Sequence, residues 1–247
     1  MTASAREIYR EYDQYGVVRV LDDGNRRILS FGDDDEQSCV LKTDVTDLQH
    51  EYTRAMLLAL MFTEPRRVLT LGLGAGSLNT CLHNRFPASK QQVVELRPAV
   101  IEAARRFFQL PRSKRLVLHE MDAKAYLGAP ETSGVDILFS DLYGSDGMDE
   151  MQLDPDFIER CAELIKADGW LVLNCWREHE SSELPNLLST WFTELLSVRT
   201  SDGNWVLFAG KQPSQLSNTQ IKTRLKQLEK QLGFSLHPGF KRLQSLF

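Results

Sequence analysis

No stretch of this 247-residue chain approaches the roughly 18 consecutive apolar residues that a membrane span needs. Its start, Met1–Arg6, is polar and charged with no apolar signal segment, so the expectation is a cytoplasmic protein without a membrane partner. Cysteine is scarce. Cys39, Cys81, Cys161 and Cys175 stand far apart with no C-x-x-C pair, which argues against a disulfide scaffold and fits free, buried thiols in a reducing compartment. The few histidines have no ligand spacing, so no metal site is expected. An excess of basic charge is also missing. The 29 Lys and Arg are outnumbered by 34 Asp and Glu, which argues against a nucleic-acid partner held by phosphate neutralisation. The two small basic clusters, Arg112-Ser-Lys-Arg115 and Lys241-Arg242, read as solvated surface. Internal repeats and low-complexity tracts are absent.

What the chain does carry is a glycine loop in an informative setting. Arg67-Val-Leu-Thr-Leu71 reads as a buried strand, followed by Gly72, Gly74 and Gly76 in Gly72-Leu-Gly-Ala-Gly-Ser77, and then by a helix over 77–85. Glycines there permit a tight turn and close approach of backbone to a ligand. A second apolar strand, Gln91-Gln-Val-Val-Glu95, ends in an acid about 20 residues past the loop, where a carboxylate can accept from both ribose hydroxyls of a nucleoside. The loop reads G-x-G-x-G rather than G-x-G-x-x-G, so the nucleoside need not be a dinucleotide. Past a third strand, Leu116-Val-Leu-His119, stand Asp122 and Ala123, placed to meet an adenine through the carboxylate and a neighbouring N–H. Asp122 is equally suited to cap a helix starting at Lys124. The constellation looks like an S-adenosylmethionine-type site at the carboxyl ends of successive strands.

Around this unit the chain divides into three. Residues 1–52 read as an N-terminal β-hairpin region, with strands Gly16–Leu21, Arg27–Phe31 and Ser38–Leu41 separated by an Asp-Gly turn and by the acidic turn Gly32–Glu36. Residues 53–213 read as a Rossmann-like nucleoside-binding domain, entered by an apolar helix over Thr53–Phe62. In it strands alternate with helices up to a helix over Leu184–Leu196, and then Leu195–Arg199 and Trp205–Ala209 form a hairpin. Residues 214–247 read as a helical tail with one amphipathic helix over Ile221–Leu232. The expected class is α/β: a Rossmann-like, seven-stranded methyltransferase fold with an antiparallel terminal hairpin, preceded by a small N-terminal β-hairpin domain.

The segments Val68–Ser77, Val94–Phe108, Asp122-Ala123, Val135–Asp141 and Leu164–Val172 together resemble the spermidine synthase (polyamine aminopropyltransferase) family, over most of the chain from Val17 to Lys211. The resemblance implies a transferase that uses decarboxylated S-adenosylmethionine, or S-adenosylmethionine itself, with a small-molecule amine as acceptor and, as is common in the family, a homodimer. It implies that Glu95 holds the ribose, Asp122 the adenine side, and Gln37 reaches the nucleoside from the N-terminal region. It makes Asp141 the acceptor of the amine's proton, with Tyr143 and Tyr52 in the same pocket.

Four positions depart from the family pattern. Ala75 and Gly144 stand where the family carries acids that grip the diamine, and Thr53-Arg54 stand where it carries Tyr followed by His or Gln, although His50 and Tyr52 are close by. A dication in a partly dry pocket without paired carboxylates costs several kcal/mol, so putrescine is a doubtful acceptor. Methyl transfer is the alternative, weakened by Thr70 where many methyltransferases carry an acid. A non-catalytic nucleoside-binding module is the third reading.

Overall fold

The computed structural model describes residues 5–32, 36–131, 133–144, 147–181 and 183–246. The first element is a four-stranded antiparallel meander: β1 (Arg6–Asp13), β2 (Gly16–Asp23), β3 (Arg26–Ser30) and β4 (Ser38–Leu41). β2 shows the period-2 logic of a half-covered strand, with Val18 and Val20 buried and Arg19 between them turned outward. β1 is missing from the sequence reading because its residues, Arg6-Glu-Ile-Tyr-Arg-Glu-Tyr-Asp13, contain no apolar run. It is an exposed edge strand held by pairing with β2 and by ion pairs from Glu7 to Arg10 (2.7 Å) and Arg19 (2.6 Å). The acidic turn expected at Gly32–Glu36 has its centre, residues 33–35, outside the described residues.

The chain then enters the core through α1 (Glu51–Met56), which tightens into a 3₁₀ turn, Leu57–Met61, buried throughout. Strands and helices alternate from there: β5 (Arg67–Leu71), α2 (Ser77–Arg85), β6 (Lys90–Glu95), α3 (Pro98–Phe107), β7 (Leu116–Glu120), α4 (Ala123–Gly128) and β8 (Val135–Ser140). A two-residue pair, β9 (Tyr143–Gly144) with β10 (Gly147–Met148), precedes α5 (Pro155–Leu164) and β11 (Ile165–Trp176). α6 (Leu184–Leu188), β12 (Glu194–Arg199), β13 (Asn204–Gly210), α7 (Asn218–Leu232), α8 (His237–Arg242) and β14 (Gln244–Ser245) complete the chain.

The main sheet has the order β14-β12-β13-β11-β8-β5-β6-β7. Seven long strands form the expected sheet, and the short β14 extends its edge beside β12. The pairs β11–β8, β8–β5, β5–β6 and β6–β7 are parallel, while β13 runs antiparallel to both β11 and β12. Every residue of β8 is buried, as befits a parallel strand covered on both faces. One face packs Phe139, Val172 and Phe208 against α1, α2 and α7; the other packs Leu138, Leu171 and Trp205 against α4, α5 and α6. A third cluster, Val18, Val20, Leu29 and Phe31 with Ala99, Val100 and Ala103, seats the N-terminal sheet on α3. β6 and β8 flank β5 on opposite sides, so the connections leaving β5 and β8 diverge and open a crevice at their carboxyl ends.

Three further expectations differ from the structure. The helix read over 184–196 ends at Leu188. The following Ser189, Thr190 and Thr193 have low helix propensity, and buried Phe192 anchors the turn into β12. The tail carries two helices rather than one. α7 begins at Asn218, behind a capping box of Ser217 and Gln220, and ends at Gly233 in the left-handed conformation; α8 follows. Arg242 is not simply solvated, since it forms an ion pair with Glu51. Among the described residues no helix is long and apolar enough to cross a membrane.

Candidate active-site cavity

The glycine loop lies where β5 and β8 end side by side, with Leu71 opposite Ser140 and the Asp141 N–H donating to the Leu71 carbonyl at 2.9 Å. Gly72 has φ +88°, and a Cβ there would stand 2.2 Å from the Asp141 carbonyl oxygen, so no other residue fits. At Gly74, φ +54°, a Cβ would meet Ser38 Oγ at 2.7 Å. Ser38 belongs to β4 and also accepts from the Ala75 N–H at 3.1 Å, so the N-terminal sheet is fastened directly to the loop. Gly72 and Gly74 line a cavity of about 950 Å³ at the crevice. Gly76 is turned toward Leu110 instead, and Ala75 is buried in the apolar cluster beneath the N-terminal sheet.

Glu95, at the end of β6, also lines the cavity and is buried. Its Oε2 accepts from the Leu73 N–H and its Oε1 from the Arg97 N–H, both at 2.9 Å. Burial pushes its pKa above the ordinary 4.5, against the pull of those backbone donors. Each carboxylate oxygen keeps lone-pair capacity for a further donor, as two ribose hydroxyls would require. Leu96, on the same wall, leaves an exposed apolar side chain. Asp122 and Ala123 fall outside the cavity's lining. Asp122 is exposed and caps α4 through the Ala125 N–H at 2.8 Å, while the neighbouring Met121 N–H bonds the Glu95 carbonyl at 3.0 Å. Gln37 lines the wall opposite and its amide donates to the Gly144 carbonyl at 3.5 Å.

At the other end of the cavity Asp141 receives hydrogen bonds from Asn174 Nδ2 at 2.8 Å and from the Tyr52 hydroxyl. Burial raises the Asp141 pKa above its ordinary value, and the two donors partly offset that. The Tyr52 hydroxyl is pushed well above 10 by burial and then by the Asp141 charge, so it stays a donor. Asn174, on β11, is held in turn by Asn204 Nδ2 at 3.0 Å, and its carbonyl accepts from the Tyr143 hydroxyl at 3.3 Å. Tyr143 stacks against Trp176 with ring centroids 6.4 Å apart. Trp176 is 43% exposed and lines the cavity. His50, Glu36, Asp149 and Asp202 complete this end. Burial pushes the His50 pKa down, against the nearby carboxylates of Glu36 and Asp202.

The structure therefore brings Gln37, Tyr52, Gly72, Gly74, Glu95, Asp141 and Tyr143 to one cavity and leaves Gly76, Asp122 and Ala123 off its wall. The sequence reading did not single out Asn174, Asn204, Trp176 or Asp202. No motif marks them: Asn174 and Trp176 reach the cavity from the end of β11, and Asp202 and Asn204 from the turn at which β12 gives way to the reversed strand β13.

No protein-family model matches the chain. It is 26% identical over 227 residues to a polyamine aminopropyltransferase of Neisseria meningitidis, covering 89% of this chain and 86% of that protein. It is also 26% identical over 218 residues to an eEF1A lysine and N-terminal methyltransferase of Xenopus laevis, covering 80% of this chain and 32% of that longer protein. Among solved structures, a probable spermidine synthase from Corynebacterium glutamicum superposes with a TM-score of 0.77 at 18% identity, covering 99% of this chain and 91% of the other. Human methyltransferase-like protein 13 in complex with SAH superposes with a TM-score of 0.67 at 22% identity, covering 75% and 93%. The fold is that of the methyltransferases and spermidine synthases, and the curated relatives are transferases.

Proposed function

We propose that the chain is an aminopropyl transferase, taking the group from decarboxylated S-adenosylmethionine to an amine acceptor. The observation that carries this reading is the charge balance of the cavity wall. Among the described lining residues are Glu36, Glu95, Asp141, Asp149 and Asp202, whereas the one arginine among them, Arg97, is committed to Asp13 at 2.9 Å and the one histidine, His50, is biased toward the neutral form. S-adenosylmethionine brings a carboxylate that would find no uncommitted cationic side chain among the described lining residues; the decarboxylated donor brings none. Glu95 holds the ribose, and Leu96 offers apolar surface to the base.

In the transfer step the acceptor nitrogen forms a bond to the aminopropyl carbon attached to the sulfonium. That C–S bond breaks, its electron pair returns to sulfur, and methylthioadenosine leaves. The amine loses a proton, and Asp141 accepts it. Burial makes Asp141 a stronger base than a solvated carboxylate, while Asn174 and Tyr52 fix its orientation. Putrescine is expected to be a poor acceptor. Glu36 is ion-paired with Arg26 at 2.5 Å, and Ala75 and Gly144 supply no carboxylate at the positions where the spermidine synthases carry the acids that grip the diamine.

Calorimetry with decarboxylated S-adenosylmethionine, S-adenosylmethionine and methylthioadenosine tests the donor. The decarboxylated form should bind more tightly than its parent. Tighter binding of the parent, with release of S-adenosylhomocysteine on turnover, would establish methyl transfer, the reading that the similarity to the eEF1A methyltransferase favours. An amine screen tests the acceptor; spermidine formation from putrescine at several per second or faster would overturn the expectation for putrescine.

A further inference from the structure

Arg97 stands two residues past Glu95 and is 5% exposed. Its backbone N–H is bonded to Glu95 Oε1, while its guanidinium points the other way, into the turn between β1 and β2. There Nε donates to Asp13 Oδ2 at 3.0 Å, and Nη2 donates to Asp13 Oδ1 at 2.9 Å and to the Gly16 carbonyl at 3.0 Å. The guanidinium carbon also lies 4.5 Å from the centre of the Phe31 ring. Asp13 Oδ1 accepts in addition from the Tyr15 N–H at 2.9 Å. Gln14 and Tyr15, the two residues between the strands, line the same cavity as Glu95 and Leu96.

One residue is thus bonded at its backbone to the candidate ribose acid and at its side chain to both ends of a turn that walls the nucleoside end of the cavity. Stability alone does not call for this arrangement. The N-terminal sheet already has an apolar seat on α3, and a buried ion pair is on average no better for stability than apolar residues of similar size. A bidentate guanidinium–carboxylate pair does fix geometry in a way apolar contact does not. A turn at the end of an exposed hairpin would otherwise open locally at little cost.

We propose that Arg97 is a positioning residue that latches the Gln14–Tyr15 turn as a roof over the nucleoside end of the cavity, enclosing an adenine nucleoside between Tyr15 and the Glu95–Leu96 loop. The proposal rests on the nucleoside reading of the site. Its test is the calorimetric affinity for methylthioadenosine of the wild type, Tyr15→Ala, Arg97→Met, Asp13→Asn and the Asp13→Asn/Tyr15→Ala double variant, with thermal midpoints measured alongside. Tyr15→Ala should weaken binding about tenfold, as loss of an aromatic contact does, without moving the midpoint. Asp13→Asn should weaken it to a similar degree. In the double variant the two losses should not add, because the roof is already unlatched. Arg97→Met leaves Asp13 without its partner, so Asp13→Asn carries the test if that variant does not fold. Additive losses, or a lowered midpoint with unchanged affinity, would reduce the pair to a structural tie. Failure of the wild type to bind any adenine nucleoside would instead remove the reading on which the latch depends.

Discussion

Glu95 is a buried acid and Asp141 a half-buried one, and the proposed function assigns chemistry to both. Each sits at a strand end with burial raising its pKa, partly offset by hydrogen bonds from two backbone N–H groups for Glu95 and from Asn174 and Tyr52 for Asp141. Glu95→Gln keeps the shape and removes the charge. It should weaken methylthioadenosine binding by the worth of a charge-assisted hydrogen bond, roughly 1.5–3 kcal/mol, with the fold intact; unchanged calorimetric affinity would exclude Glu95 as the ribose acid. The raised pKa gives this binding a pH signature. Ribose hydroxyls need the ionised acid as acceptor, so affinity should fall as pH is lowered through a value above the ordinary 4.5. Asp141→Asn should spare nucleoside affinity and lower the transfer rate by about 10²–10⁴, the usual contribution of a proton acceptor. Equal losses in both would recast it as a binding residue. Both acids were legible in the sequence because each ends an apolar run. Asn174 and Asn204 were not, since nothing in a buried strand distinguishes an asparagine that steers a carboxylate from one that merely satisfies the backbone.

At the level of elements, the helix over 77–85 and the strand over 135–140 match the expected bounds, whereas the entry helix expected over Thr53–Phe62 begins at Glu51 and gives way to a 3₁₀ turn at Leu57. The reading failed where an element is held by its partner rather than by its own pattern. β1 is polar and exists through β2, and the short α6 yields to the strand that β13 requires. The glycine loop is the most constrained junction. Gly72→Ala demands a Cβ inside the Asp141 carbonyl and a positive φ, so it should cost several kcal/mol, visible as a marked fall in the thermal midpoint, and should disturb both acids together. A midpoint near wild type would mean that β5 and β8 separate more readily than their pairing suggests. Ser217→Ala removes half of the α7 capping box and should cost about 1 kcal/mol without touching nucleoside binding.

The whole molecule couples two sheets with opposite acid behaviour. In the N-terminal sheet Glu7 is held down to about 2 by Arg10 and Asp22 is lowered by Arg27. Groups lowered in this way contribute stability that is complete above their ordinary values and is lost as pH falls toward the folded ones. Glu95 and Asp141 are raised, so their ionisation opposes the folded state above their folded pKa, and that cost disappears on acidification. Hydrogen exchange followed from pH 4.5 to 2 should therefore show β1 and β2 loosening while β5 and β6 keep their protection. The reverse order would contradict the assignment. The sequence displayed the pieces of the site at separate strand ends, but not the joint between the sheets. Asp13 and Arg97 lie far apart in the chain and carry no periodicity that pairs them. Likewise the role of Ala75 as a packing residue under the N-terminal sheet is visible only once that sheet is seated.

The four cysteines have a practical consequence. All are buried, and burial pushes the Cys81 and Cys175 thiols up to about 12 and the Cys161 thiol higher still, so almost no thiolate is available to an alkylating reagent at neutral pH. The folded protein should therefore react slowly with maleimide dyes, which a labelling time course checks. A single cysteine introduced at an exposed position such as Tyr12 would be the one labelled site, and its fluorescence would follow the hairpin in real time without any need to remove the native thiols.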